Sequence, residues 1–207
     1  MKLRKFVLMF VLAGLVSGSA AFAAEEKMAG EKMSPEKQAW MEKMKAMTTP
    51  NEKHKALDVF VGKWKAVCKF WMSPAEQPEV SEGTSDNRWI MDGRFIQQDF
   101  KGQAMGKPFE GIGITGYDII RGEYTAIWLD NMATGIMTAS GQYDATTKTF
   151  NQNGSMSCPL TMEKARPMRT VIKIANNDHF TYETYMNGKA GKEFKGMEIT
   201  YDREIIS

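Results

Sequence analysis

Trp128, Asp130, Asn131 and Thr134 lie within one short stretch of the chain. An indole beside side chains that donate and accept hydrogen bonds suits the polar end of a small ligand. The Asp-Asn pair is also good hairpin chemistry, because both residues tolerate left-handed backbone angles, so a structural reading stands beside the binding one. Glu183 sits between Tyr182 and Thr184, and Glu198 between Met197 and Ile199. A carboxylate turned into an apolar interior is costly unless paired. Either residue, if it faces inward, should meet a cation or grip a ligand. Trp89 joins Trp64, Trp128, Phe95, Tyr117, Tyr143, Tyr182 and Tyr185 as rings that line or simply fill an interior.

Catalytic chemistry has less to work with. His54 and His179 are the only histidines. Neither stands in a Ser-His-Asp pattern, and the chain has no nucleophile elbow, Gly-rich phosphate loop or paired-cysteine metal motif. Two histidines on different elements make a poor zinc site, and each reads as a surface or helix-end residue. No catalytic residue, resident metal or cofactor is assigned, and an enzyme is the less favoured class. The 17 methionines raise a different possibility. Met28, Met33, Met41, Met44 and Met47 fall near the N-terminus, and thioethers suit Cu(I). The plain alternative is that methionine serves as an apolar stripe and gap-filler. Cys68 and Cys158 are the only cysteines. In an oxidising compartment two thiols often pair, and a buried Cys68 thiol is the competitor.

That compartment is implied by the first residues. Lys2, Arg4 and Lys5 precede the apolar run Phe6 to Val16, and Ala21-Phe22-Ala23 fits a small-x-small cleavage site. Residues 1–23 therefore read as a secretory signal peptide, with a periplasmic or secreted mature chain. The run is too short to span a bilayer, and no later stretch approaches that length. The chain has 27 Lys+Arg and 25 Asp+Glu. Without the three leader cations the charges nearly cancel, which argues against a nucleic-acid partner.

Residues 24–50 form a flexible tail rich in Met, Lys and Glu. Ser34-Pro35-Glu36 starts a short helix within it, and Thr48-Thr49-Pro50 ends it. Asn51 to Val61 is an amphipathic helix that Asn51 caps, with Leu57, Phe60 and Val61 on one stripe. From Lys63 the period changes to two: Trp64, Ala66, Cys68 and Phe70 alternate with Lys63, Lys65, Val67 and Lys69. Strands are predicted at 63–72, 82–92, 93–101, 109–118, 122–130, 133–144, 147–155, 167–176, 179–186 and 192–203. No long helix separates them, so the sheet is antiparallel.

Connections alternate between short turns and longer stretches. Ser73–Ser81, Gly102–Pro108 and Met156–Arg166 are the long ones, and all fall at one end of an up-and-down meander. The fold is thus expected to be an all-β cup of about ten strands with one mouth, preceded by a short N-terminal helix. An even count brings the first and last strands together, with Trp64 beside Arg203 at the closed end, an Arg–indole contact worth about 0.5–2 kcal/mol. Cys68 and Cys158 then both fall near the mouth, where a bridge is sterically plausible.

Phe60-Val61-Gly62-Lys63-Trp64 resembles the opening of fatty-acid-binding and lipocalin barrels. His54-Lys55-x-Leu57, Gly62-x-Trp64, Glu110-Gly111-x-Gly113-x-Thr115-Gly116-Tyr117-Asp118, Trp128-x-Asp130-Asn131-Met132-x-Thr134-Gly135-Ile136-Met137 and Lys192-Glu193-Phe194-Lys195-x-Met197-Glu198-Ile199-Thr200-Tyr201 together resemble the bacterial domain-of-unknown-function 1579 (DUF1579) family over residues 51–204. The resemblance implies a lipocalin-like barrel and no established activity. One departure is Cys158-Pro159, where Asp-Pro is expected. Tyr201-x-Arg203 reverses the order of the Arg and Tyr that hold a carboxylate in fatty-acid-binding barrels, so closure is the preferred role for Arg203.

The expected function is non-catalytic binding of a small hydrophobic or amphipathic molecule outside the cytoplasm. The alternatives are a structural or protein-interaction role in the envelope, and Cu(I) handling through the methionine tail.

Overall fold

A computed structural model describes residues 33–205, apart from Leu160, Lys189 and Ala190. The proposed signal peptide and the start of the tail lie outside these residues. The chain divides into two units at Lys45/Ala46. The N-terminal unit carries most of helix α1 (Pro35–Thr48), which has no buried residue. Lys37 N donates to Ser34 Oγ at its start, and Trp40, Met41 and Met44 are exposed along it.

The second unit is a closed barrel of ten antiparallel strands: β1 (Gly62–Phe70), β2 (Glu79–Ile90), β3 (Phe95–Ala104), β4 (Lys107–Asp118), β5 (Glu123–Asp130), β6 (Met137–Asp144), β7 (Thr149–Cys158), β8 (Glu163–Asn176), β9 (His179–Asn187) and β10 (Glu193–Arg203). Each strand pairs with its neighbours in sequence, and β1 pairs with β10 to close the ring. All ten predicted strands exist. Of the three long loops expected at the mouth, the first exists, with residues 71–78 between β1 and β2, and the other two are short. β3 and β4 run on to a two-residue turn at Met105-Gly106, both with positive φ, a backbone that matches strand twist in tight hairpins. β7 and β8 likewise extend to Cys158 and Glu163, with a bulge between Met156 and Cys158. At the β3–β4 and β7–β8 hairpins the mouth is therefore walled by strands, while the 71–78 loop stands between β1 and β2.

Side-chain parity follows from Trp64, which is fully buried. Trp64, Ala66 and Cys68 face inward, and the β1–β10 register carries that facing to Arg203, Tyr201 and Ile199. Lys65, Val67 and Lys69 lie outside, opposite Asp202, Thr200 and Glu198.

The segment before β1 plugs the closed end. Asn51 caps α2 (Glu52–Lys55): its Oδ1 accepts from Lys53 N at 3.0 Å, and its own N–H donates to His54 Nδ1 at 3.1 Å. A 3₁₀ turn at Asp58–Phe60 follows. It drives Leu57 and Phe60 into the barrel against Phe150 and Phe180. The Phe60 carbonyl accepts from Trp64 Nε1 and Asn87 Nδ2, each at 2.9 Å, which fastens the plug to two strands.

Arg203 locks this end. Its guanidinium lies 4.1 Å from the Trp64 ring centre. It donates to the carbonyls of Val61 (2.7 Å), Val59 (3.1 Å) and Asn177 (3.0 Å), and to Asp178 Oδ1 at 2.9 Å. Gly62 is required beneath it: φ is +123°, and a Cβ there would lie 2.5 Å from Arg203 Nη1. Removing the guanidinium forfeits the indole contact and strands carbonyl groups. Arg203→Ala is expected to lower unfolding free energy by about 2–3 kcal/mol in urea titrations. Arg203→Lys should recover only part of it, since an ammonium cannot span three carbonyls.

Candidate functional site

The barrel interior is layered. At the closed end Phe60, Trp64, Phe150, Phe180, Tyr124 and Tyr201 pack as one aromatic mass, with Phe180 stacked on Tyr201 at 4.4 Å. Burial pushes the Tyr124 phenol up to about 12, and Tyr201 is raised for the same reason. His54 is at a helix end, one of the two places expected of it, but is buried rather than on the surface. It is 5% exposed, edge-on to Tyr117, and burial holds its imidazole below the usual value. His179 stays at the surface, with Nδ1 2.7 Å from Asp202 Oδ1.

Above the plug is a belt of uncharged polar groups. Gln98 Nε2 donates to Ser85 Oγ (3.0 Å) and Tyr201 Oη (3.2 Å), and Ser85 Oγ donates to Asn87 Oδ1 (2.5 Å). Gln152, 3% exposed, donates from Nε2 to the Tyr124 carbonyl at 3.3 Å. Sequence reading missed this belt. The run Glu79–Ile90 holds few apolar residues, so its parity becomes readable only through the register with β1.

Nearer the mouth, Trp128 stacks on Phe109 and meets Phe100 edge-on. It fills the space over Gly111, where a Cβ would lie 2.1 Å from its ring. Asp130 accepts from Trp128 Nε1 (2.9 Å), Met132 N (2.9 Å) and Ala133 N (3.1 Å). Asn131 exchanges hydrogen bonds with the backbone of Glu110 and Pro108. Both side chains therefore hold the β5–β6 turn, and Thr134 is exposed on it.

The other candidates are not gathered there. Trp89 lies at the closed end, donating from Nε1 to Asp58 Oδ1 at 2.9 Å. It borders a small hollow of about 230 Å³ shared with His54 and Gly93. Tyr182 faces inward opposite Ile199. Phe95 and Tyr185 correct the list of lining rings, because register places both outside: Phe95 covers Gly116, and Tyr185 lies under Arg169.

Glu183 and Glu198 are directly opposite each other on β9 and β10, and register with Lys69 sets both on the outer wall. Lys195 bridges them, at 2.9 Å from Glu183 and 2.5 Å from Glu198. Lys173 and Tyr185 also donate to Glu183, at 2.8 and 2.9 Å. Burial opposes ionisation of Glu183, but these hydrogen bonds outweigh it and bring the carboxyl down to about 2.

No disulfide joins Cys68 and Cys158, and the pairing expected from their shared height is corrected. β1 and β7 are four places apart around the ring, with strands about 4.8 Å apart, beyond the reach of a bridge. Burial pushes the Cys68 thiol up to about 11 despite a hydrogen bond with Ser81. Cys158 Sγ lies 3.4 Å from Arg166 Nη1.

One opening is in the wall. β2 pairs with β3 only from Gly83↔Gly102 down to Ile90↔Phe95. Above that fork Glu79–Glu82 pair with β1 alone, and Gln103 and Ala104 with β4 alone. A hollow of about 790 Å³ occupies the split, lined by Glu79–Glu82, Lys101–Gln103, Met105 and Gly106. At the fork a Cβ on Gly83 would lie 2.5 Å from the Phe100 ring, and one on Gly102 would lie 2.9 Å from the Glu82 carbonyl. Glycines at facing positions were the sequence signal for this close approach. Among the described residues, no group of three or more His, Cys, Asp or Glu is placed to hold a metal ion.

A closed up-and-down barrel with one end plugged by the segment before its first strand is a lipocalin-like, calycin-type architecture. Residues 49–203 match the model for the family described as "Protein of unknown function (DUF1579)", and the chain belongs to that family. No curated protein matches the chain. Among solved structures, the crystal structure of Rv2717c from M. tuberculosis is similar at a TM-score of 0.58. It shows 14% identity and covers 76% of this chain and 100% of that one. A redesigned β-barrel aligns at 0.39 with 11% identity, over 72% and 96% of the two chains. The first likeness is one of fold.

The outer-wall ion cluster yields a signed pH dependence. A carboxyl whose folded value is depressed stabilises the fold above its unfolded pKa and loses that contribution as pH falls through the folded value. Glu183 should thus contribute about 2 kcal/mol, after allowance for screening by solvent at its lysine partners. That contribution is complete above the ordinary value of 4.5 and lost as pH falls toward about 2. Thermal melts from pH 6 to pH 2 should show a shallower acid decline for Glu183→Gln than for wild type.

Proposed function

We propose that the protein works outside the cytoplasm as a non-catalytic carrier that takes up one small amphipathic molecule through the split between β2 and β3. The carrying observation is the contrast between a solid closed end and a wall that opens above Gly83 and Gly102 into a hollow of about 790 Å³. Ligand sites are concave and largely pre-formed, and this hollow has a polar rim at Glu79, Glu82 and Lys101 that suits the polar end of an amphipathic molecule. The aromatic row of Phe100, Phe109 and Trp128 begins at the fork and offers the apolar surface. The leader-like first residues support action beyond the inner membrane.

The uncharged fluorophore N-phenyl-1-naphthylamine is expected to bind with saturable, one-to-one enhancement. Ser81→Trp, which fills the split from β2, should weaken it about tenfold while the ligand-free melting temperature holds. Non-saturable fluorescence, or an unchanged affinity in Ser81→Trp, would sink the reading. Export is checked separately: the chain recovered from its host's periplasm or medium should begin at Ala24, and recovery of the uncleaved chain from the cytoplasm would refute it.

A further inference from the structure

Thr170 and Thr184 are register partners on β8 and β9. They stand on the inner face, one step toward the mouth from the inward pair Ile172 and Tyr182. Thr170 is 1% exposed and Thr184 3%, and the Oγ1 of each has no hydrogen-bond partner. Leaving a buried hydroxyl unsatisfied costs about 1–3 kcal/mol, whereas an apolar group of the same shape costs nothing of the kind. Valine is nearly isosteric with threonine and a better strand core residue. Two adjacent orphan hydroxyls inside one barrel are therefore a standing debit that packing does not explain.

The surroundings indicate what these hydroxyls are for. One step further toward the mouth, Met168 and Met186 are themselves register partners on the same inner face, so a pair of thioethers roofs the pair of hydroxyls. The Met186 methyl presses against Gly196 at the β10 bulge: a Cβ there would lie 2.1 Å from it. Methionine is unbranched and turns easily, which makes this roof movable. In ring order β8 and β9 stand opposite β3 and β4, so the hydroxyls face the row of Phe100 and Phe109 across the bore.

Charge decides the kind of head group. The buried inward polar side chains between the plug and the methionine pair are Ser85, Asn87, Gln98, Gln152 and the two threonines, all neutral, with Tyr201 kept protonated by burial. The charged side chains that share the inner face, Arg203 at the closed end and Asp130 and Arg166 nearer the mouth, are committed to the plug and β8–β9 turn, to Trp128 Nε1 and to the Asn187 carbonyl. The charged residues Arg169, Lys173, Glu183, Lys195 and Glu198 belong to the outer face. A carboxylate or ammonium brought here would lose its hydration with no counter-ion to replace it. A hydroxyl, amide or ester gives up less and can donate to, or accept from, either threonine.

We infer that the Thr170–Thr184 pair, beneath Met168 and Met186, is the head-group station for an uncharged amphiphile whose apolar chain lies across the barrel toward Phe100 and Phe109. This rests on the binding reading above and narrows its ligand class to neutral heads, excluding fatty acids.

The test compares chains of one length: 1-decanol, decanamide, decanoate and decylammonium, each displacing N-phenyl-1-naphthylamine from the purified protein at pH 7.5. Decanol and decanamide should bind at least about tenfold tighter than either ion, the worth of one well-made hydrogen bond in a dry site. The double variant Thr170→Val with Thr184→Val should erase that preference, with a ligand-free melting temperature equal to or above wild type. Thr170→Ser with Thr184→Ser, which keeps both hydroxyls, should retain the preference. Equal affinity for decanol and decanoate, or a preference that survives the valine pair, overturns the inference. If the four compounds bind alike and Ser81→Trp still blocks them, the carrier reading stands and the head-group assignment alone falls. If none displaces the fluorophore, both fall.

Discussion

Closing a sheet on itself requires its first and last strands to meet in one register, and in this protein that meeting is fixed at Trp64 and Arg203. The Arg203 guanidinium touches the indole and three carbonyl groups at once, so β10, the 3₁₀ turn and the β8–β9 hairpin are tied to the start of β1. The consequence extends around the ring. With Trp64 inward, the register assigns every residue of β2 and β10 to a face, and those strands assign theirs. A slip of one residue at the seam, with Trp64 held inward, would turn Tyr201 and Ile199 outward and bring Thr200 and Glu198 inside.

The seam also separates two regimes of electrostatics. In the belt above the plug, the inner polar groups are neutral and mostly bonded to one another or to backbone carbonyls. Outside, β8–β10 carry a net of ion pairs centred on Glu183, which is 8% exposed at its side chain beneath the longer stems of Lys173 and Tyr185. Lysine and arginine stems cover apolar outer-wall surface while their heads reach water. Val171, on the outer face, is accordingly only 6% exposed.

Strands with one apolar face were legible from the chain alone. Trp64, Ala66, Cys68 and Phe70 announced β1, and the even strand count brought Trp64 to Arg203. Elements whose facing depends on partners were not. Nothing in Glu79–Ile90 alternates clearly, so the inward Ser85 and Asn87 stayed hidden. Glu183 and Glu198, flanked by apolar neighbours, had no assignable face until the register with Lys69 set them outside. Met105-Gly106 lacks the Asn-Gly signature of a tight turn, so the β3–β4 hairpin read as a loop. Asp130 and Asn131 drew attention as polar residues beside an indole, but their hydrogen bonds go to that indole, to the backbone of the turn and to β4. Thr170 and Thr184 carried no signal, because an alternation of Thr with Val and Ile is ordinary strand composition and only burial without partners sets them apart.

The fork at Gly83 and Gly102 bears on motion as well as shape. Above it Glu79–Glu82 are held by a ladder on one side only, and the Glu79 carboxylate, 3.2 Å from Met105 N, is the bond that spans the gap. Segments with few buried contacts and a single ladder open locally at a fraction of the global unfolding free energy. The upper corner of β2 can therefore breathe while the plug and the β1–β10 seam stay shut. Slow amide exchange should concentrate at the closed end and fade toward this corner, so the barrel behaves as a rigid socket with one compliant lip.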